Sequence, residues 1–249
     1  MQLVDAAYNE HAAAAYVEMI RNLDAYAEYF ISADETGVDN TTSLRRYGRA
    51  LRGVRPSVVR HTVKGEHLTV IAAMSVRDGM MTEHALIMSG YLTKEVFEEW
   101  FDEVMIRRGV LQPFPGPNSI LLIDNMSGHD FPSLQAKAAA VGGLVLPNAP
   151  KCTDFQPVEG GFHSMKNDMR NQGQVAYMAN PAAVISAALH AVTPAKAAGL
   201  FRGCKFRGER VYPFMGEVVG GGVAGGEDGG AFEQHLMDAI EIIAEEELA

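Results

Sequence analysis

The chain of 249 residues is poor in three things. It has two cysteines, Cys152 and Cys204. They supply neither a disulfide framework nor the paired spacing of a zinc site, and they suit a reducing compartment. Positive charge is also short: 21 Lys and Arg stand against 31 Asp and Glu, a net charge of −10. No global basic field draws nucleic acid, so DNA binding needs a local patch, a metal or a missing segment. Finally, there is no apolar run of membrane-spanning length and no basic-then-apolar leader, which reads as soluble and intracellular. What is present is apolar mass. At 47% hydrophobic, the chain can build a sizeable core as one large domain or two small ones.

The organising stretch is Ser119-Ile120-Leu121-Leu122-Ile123-Asp124-Asn125. Four aliphatic residues in a row read as a strand buried on both faces in the middle of a sheet. Asp124 falls at its C-terminal end, where open α/β sheets place ligands. An Asp capping the turn after a strand is the plainer account. Around it, residues 6–27 read as a helix and residues 29–34 as a short strand ending in Asp34, broken by Glu35-Thr36-Gly37. Residues 68–76 and 80–88 read as further strands. Thr93 caps a helix over residues 93–108 with a stripe of Val96, Phe97, Trp100, Phe101, Val104 and Met105. Helices over 131–141, 159–171, 181–191 and 194–201 and a strand over 143–146 follow.

This order of elements is that of a ribonuclease-H-like α/β fold, a mixed central sheet of about five strands flanked by helices. If the first and fourth strands are neighbours, Asp34 and Asp124 stand side by side, and the helix after the last strand can supply Glu159. Three such carboxylates repel, each pair at ~4 Å and a dielectric of ~20 costing on the order of 4 kcal/mol. Divalent cations relieve the repulsion, and oxygen-only ligands favour Mg²⁺ or Mn²⁺. Two ions roughly 3.5–4 Å apart can clamp the oxygens of a phosphodiester. Glu35 alternates to the other face of its strand, which makes it structural or a support to Asp34.

Three motifs carry a family resemblance. Ile31-Ser32-Ala33-Asp34-Glu35-Thr36-Gly37, then Tyr47-Gly48-Arg49-Ala50 and Gly53, resemble the opening of the DDE catalytic domain of mariner-like transposases. Leu122-Ile123-Asp124-Asn125-Met126-Ser127-Gly128-His129 is similar to the second motif. Leu146-Pro147-Asn148-Ala149-Pro150, with Asp154-Phe155-Gln156-Pro157-Val158-Glu159 and Lys166, is similar to the third, and thirty-four residues separate Asp124 from Glu159. Pro113-Phe114-Pro115-Gly116-Pro117 looks like fungal-type members. The resemblance, over about residues 30–206, implies DNA strand cleavage and transfer in the nucleus. It implies two Mg²⁺ (or Mn²⁺) ions on Asp34, Asp124 and Glu159, DNA as partner, a homodimer, no membrane and no small-molecule cofactor.

Candidate phosphate contacts are Arg49, Asn125, His129, His163, Lys166 and Arg170. His163, Lys166 and Arg170 share the face of Glu159 at helical steps, and a merely solvated face explains that pattern as well. His129 can equally cap the following helix. The run Arg45, Arg46, Arg49, Arg52 and Arg55 is the best local basic patch, though a solvated hairpin serves too.

Departures from the pattern shape the expectations. Gln156 stands where the family has Asn, one methylene longer, which predicts loss of the hydrogen bond that shapes the turn. Cys152-Thr153 replaces Ser-Pro. Thirty-three residues precede Asp34, too few for the family's helix-turn-helix modules. The alternative is therefore a catalytically inactive, transposase-derived module that binds nucleic acid or protein; another ribonuclease-H-like nuclease would not predict the His129 and Pro157-Val158-Glu159 contexts. The expected organisation is an N-terminal helix (1–27), a catalytic domain (28–212), a Gly-rich linker (213–231) and an acidic C-terminal helix (232–249). Eight of the fifteen residues from Gly216 to Gly230 are glycine, a flexible-linker composition.

Overall fold

The structure, a computed structural model, describes residues 10–23, 25–45, 48–55, 57, 65–124, 130–148 and 155–204. The linker and acidic helix expected past residue 213 lie outside them, as do Asn125 and His129.

Helix α1 (Glu10–Asn22) leads into strand β1 (Phe30–Val38). Strands β2 (Leu68–Ser75), β3 (Gly79–Met80) and β4 (Leu86–Ser89) follow, then helix α2 (Lys94–Phe101). After β5 (Ile120–Ile123) come α3 (Phe131–Ala140), β6 (Leu144–Pro147), α4 (Pro157–Gln172), α5 (Gln174–Ala179), α6 (Pro181–His190) and α7 (Pro194–Gly203). One six-stranded mixed sheet runs β3-β2-β1-β5-β6, with β4 also pairing β2. β1 is antiparallel to β2 and parallel to β5, and β5 is parallel to β6.

All four residues of β5 are buried, with β1 on one side and β6 on the other, as its aliphatic run requires. Side chains alternate between two cores. Phe30, Val70, Ile120 and Leu122 join α1, α4, α6 and α7 on one face. Ile31, Ala33, Ile71, Leu121 and Ile123 join α2 and α3 on the other. Helix α4 lies close over β2 and β3 because Gly161 has no side chain: a Cβ there would stand 2.7 Å from Met80 Cε and 3.2 Å from Met74 Sδ.

Several expectations are corrected. β1 does not end at Asp34; it runs on through Glu35, Thr36 and Gly37 to Val38, because the antiparallel ladder with β2 continues to Val38↔Leu68. The pairing energy of the long partner strand overrides the turn chemistry of Thr-Gly. The strand expected over 80–88 is two strands with a 3-10 turn (Thr82–His84) between them. Helix α2 is capped by Thr93, whose Oγ1 accepts from Val96 N at 3.4 Å. It then changes pitch, continuing as a π-helical segment over Asp102–Arg107. Helix α5 was not expected.

Candidate active site

Strand register brings Asp34 and Asp124 to matching positions on neighbouring strands. β1 and β5 pair in parallel, Phe30↔Ile120, Ile31↔Leu121 and Ser32↔Leu122. Both aspartates lie two residues beyond the last of these pairs, in step across neighbouring strands and on the face covered by α4. Asp34 is buried, at 8% exposure, and Asp124 is half-buried just past the end of β5. Glu159 is the third residue of α4 and is exposed.

The start of α4 is held by the sheet. Ser32 Oγ accepts a hydrogen bond from Val158 N at 3.2 Å, so a β1 side chain serves one of the helix's open N–H groups. Gln156 makes no cap bond of its own, but the loss of bonding expected from its extra methylene does not follow. It is instead a buried clamp. Its Nε2 donates to Ala33 O at 3.3 Å, and its Oε1 accepts from Asn148 Nδ2 at 3.0 Å. Asn148 N in turn donates to Ile123 O at 2.8 Å. Residues from β1, the end of β5, the end of β6 and α4 are thereby tied together beneath the three carboxylates. Ser32 carried a readable signal, since it shares the strand face of Asp34 at i and i+2. The Gln156 clamp carried none, because its partners are distant in the chain.

The electrostatics follow from crowding. Burial pushes the Asp34 carboxyl up from 3.8 to about 8, and the charges of Glu35, Glu159 and Asp124 push it the same way, against a hydrogen bond from Glu35 N. That bond, to Asp34 Oδ1, is 2.8 Å. Glu35 is raised as well, by burial first and also by Asp124 and Glu159, while its hydrogen bond with Asp34 acts the other way. Its Oε2 is buried with no hydrogen-bond partner. Although strand alternation puts Glu35 on the far face, it belongs electrically to the same group, so four acids share one field.

The cations are placed around this group rather than in it. Lys166 donates from Nζ to Thr36 Oγ1 at 2.6 Å. Burial lowers its pKa, Glu159 raises it and Arg170 lowers it. His163 is exposed and Arg170 half-buried on the same helix. Arg45 donates to Arg170 O at 3.2 Å and to Asn171 Oδ1 at 2.8 Å, serving the carbonyl end of α4. Arg49, Arg52 and Arg55 are exposed.

A cavity of about 810 Å³ opens at the opposite end of the sheet, among Asp78, His84, Arg108 and Asn118; the carboxylates do not line it. Among the described residues, no three His, Cys, Asp or Glu side chains stand at joint metal-ligating distance. The donor set nonetheless fits a hard cation. It is oxygen-only, and the crowding that raises the Asp34 carboxyl, with the unpartnered Glu35 oxygen beside it, is what a bound cation would relieve.

A family model described as DDE superfamily endonuclease matches residues 29–178. The chain belongs to the DDE superfamily endonucleases. This endonuclease domain is also similar in fold to two solved structures, the Mos1 mariner paired end complex with Mn and the Mos1 Strand Transfer Complex. Each has a TM-score of 0.52 at 14% identity, over 82% of this chain and 65% of the other. The chain thus spans about two-thirds of the length of those relatives. The shared fold is the ribonuclease-H-like one, a mixed sheet flanked by helices. No curated protein sequence matches the chain. No single helix among the described residues is long and apolar enough to cross a membrane.

Proposed function

We propose that this DDE endonuclease domain cleaves and transfers DNA strands in the manner of a transposase. Asp34, Asp124 and Glu159 are its catalytic carboxylates. The observation that carries this reading is the in-step placement of Asp34 and Asp124 on adjacent parallel strands, coupled to Glu159 at the first turn of α4. The same three residues would hold two Mg²⁺ or Mn²⁺ ions, which supply Lewis-acid activation of a water and then of a 3′-hydroxyl. The protein's own residues prepare that chemistry. Ser32 and Gln156 fix the helix that carries Glu159. Burial keeps Asp34 away from bulk water. Lys166, held by Thr36, keeps a positive charge beside Glu159, and the DNA-phosphate contacts are assigned to it and to Arg49, Asn125, His129, His163 and Arg170.

We assign the catalytic domain to residues 28–212, after an N-terminal segment (1–27) that carries α1 and before a segment of Gly-rich composition (213–231) and an acidic one (232–249). It works as a homodimer on DNA in the nucleus. The test is nicking of supercoiled DNA in Mg²⁺ or Mn²⁺, with calorimetry of metal binding alongside. The expected result is metal-dependent cleavage by the wild-type chain and none by Asp124→Asn. A wild-type chain that neither cleaves nor binds metal leaves the transposase-derived binding module as the better account.

A further inference from the structure

Tyr91 is a large aromatic side chain left 77% exposed, yet its position is specified by several contacts. Its ring stacks on His67, with centroids 4.6 Å apart and planes at 28°. His67 in turn lies over Gly37 of β1, where a Cβ would come within 2.7 Å of His67 Cε1. Only glycine leaves room for that ring on the strand. The residue before Tyr91 is pinned as well. Gly90 has φ +83°; its N–H donates to His67 O at 2.9 Å and its carbonyl accepts from Thr69 Oγ1 at 2.6 Å. Four local constraints thus hold one ring out into solvent, where a Tyr serving only the core would turn inward.

The location adds to this. Gly37 is three residues beyond Asp34 on β1, about 10 Å along the strand. By strand alternation it lies on the face opposite Asp34. DNA that meets both the carboxylates and Tyr91 has to bend from one face of the sheet to the other, which an unpaired strand does more readily than a stiff duplex. In a duplex the bases show only their edges, whereas an unpaired base offers the flat face that an aromatic ring accepts.

We propose that the Tyr91–His67 stack is a platform for an unpaired nucleotide flanking the cleavage position. The proposal rests on the DNA-cleaving function argued above. Tyr91 supplies stacking without base readout, so the platform tolerates any base.

The test uses the full chain, with Ca²⁺ in place of Mg²⁺. Two DNAs are compared, a blunt duplex and the same duplex carrying a three-nucleotide unpaired flank with 2-aminopurine. The wild-type chain is expected to prefer the flanked DNA and to quench its fluorescence. Stacking of ~1–3 kcal/mol per base corresponds to an affinity loss of roughly 5- to 150-fold for Tyr91→Ala on flanked DNA. The blunt duplex should change by less than about twofold, and Tyr91→Phe should behave as wild type. Unchanged melting of both variants by circular dichroism confirms that the fold is retained. Equal wild-type affinity for the two DNAs, or an unaltered Tyr91→Ala, overturns the platform alone. Failure to bind either DNA removes the strand-cleavage reading with it. If Tyr91→Ala converts a dimer to a monomer in light scattering and leaves DNA affinity untouched, the ring belongs to a contact between copies and the proposal is overturned.

Discussion

The two faces of the sheet treat acidic residues in opposite ways. On the side of α2 and α3, acids meet cations: Lys137 Nζ stands 2.9 Å from Asp102, Arg108 Nε 3.0 Å from Glu103, and Lys94 Nζ 3.2 Å from Asp130. On the side of α4, Asp34 has Glu159 and Asp124 near it and Glu35 acting from the opposite face, and burial together with these charges drives its carboxyl up rather than down. Paired acids trim a surface and are individually worth little. Gathered acids oppose one another, and persist only where something from outside the chain repays the repulsion. Charge alone therefore says little, and the sign of its neighbours separates a stabilising contact from a prepared site.

The largest expected effect lies on the α4 side. Asp124→Asn should lower metal-dependent nicking by roughly a hundredfold or more, the several kcal/mol that metal-held charge supplies, while leaving the melting temperature of the metal-free chain unchanged or higher. Next is Gln156→Ala, which strips partners from the Asn148 side chain and the Ala33 carbonyl in a buried setting. A loss of about 1–3 kcal/mol in urea unfolding is expected, together with weaker metal binding as α4 comes loose.

Third is a pH effect of unusual sign. Asp34 protonates at about 8 in the folded chain against an ordinary 3.8. Between those values the folded state holds a proton that the unfolded state has released, so stability falls as pH rises from roughly 4 to 8. The slope in metal-free buffer should reach at most about 1.4 kcal/mol per pH unit. Asp34→Asn should flatten it, and Mg²⁺ at pH ~8 should restore stability to the wild type but not to the variant. A slope of the opposite sign in denaturant titrations would contradict the crowding described here. The smallest effect is on the paired side. Lys137→Ala should cost less than about 1 kcal/mol and leave the calorimetric metal affinity as it was.

How much of this was legible beforehand varied by element. Strand β5 was plain, because four consecutive aliphatic residues have few other uses. The adjacency of β1 and β5, the strands that lead to Asp34 and Asp124, followed from element order. The end of β1 was misplaced, since a Glu-Thr-Gly run reads as a break and only the long partner β2 shows that the ladder continues. Glu35 was assigned to the opposite face correctly by alternation, but a period-two rule carries no distance, so its share in the common field was missed. Gln156 was seen as a defect in a motif; that it clamps β1 to the end of β6 depends on residues 123 and 8 positions away, which no local pattern encodes.

The bond from Val158 to Ser32 has an evolutionary implication. Because Ser32 and the Asn148–Gln156 clamp together set where α4 begins, the residues between Asn148 and Gln156 carry less of the duty of aiming the last acid. Those intervening residues can be exchanged, as Cys152-Thr153 illustrates, while Ser32, Asn148 and Gln156 keep the helix at the same rung of the sheet.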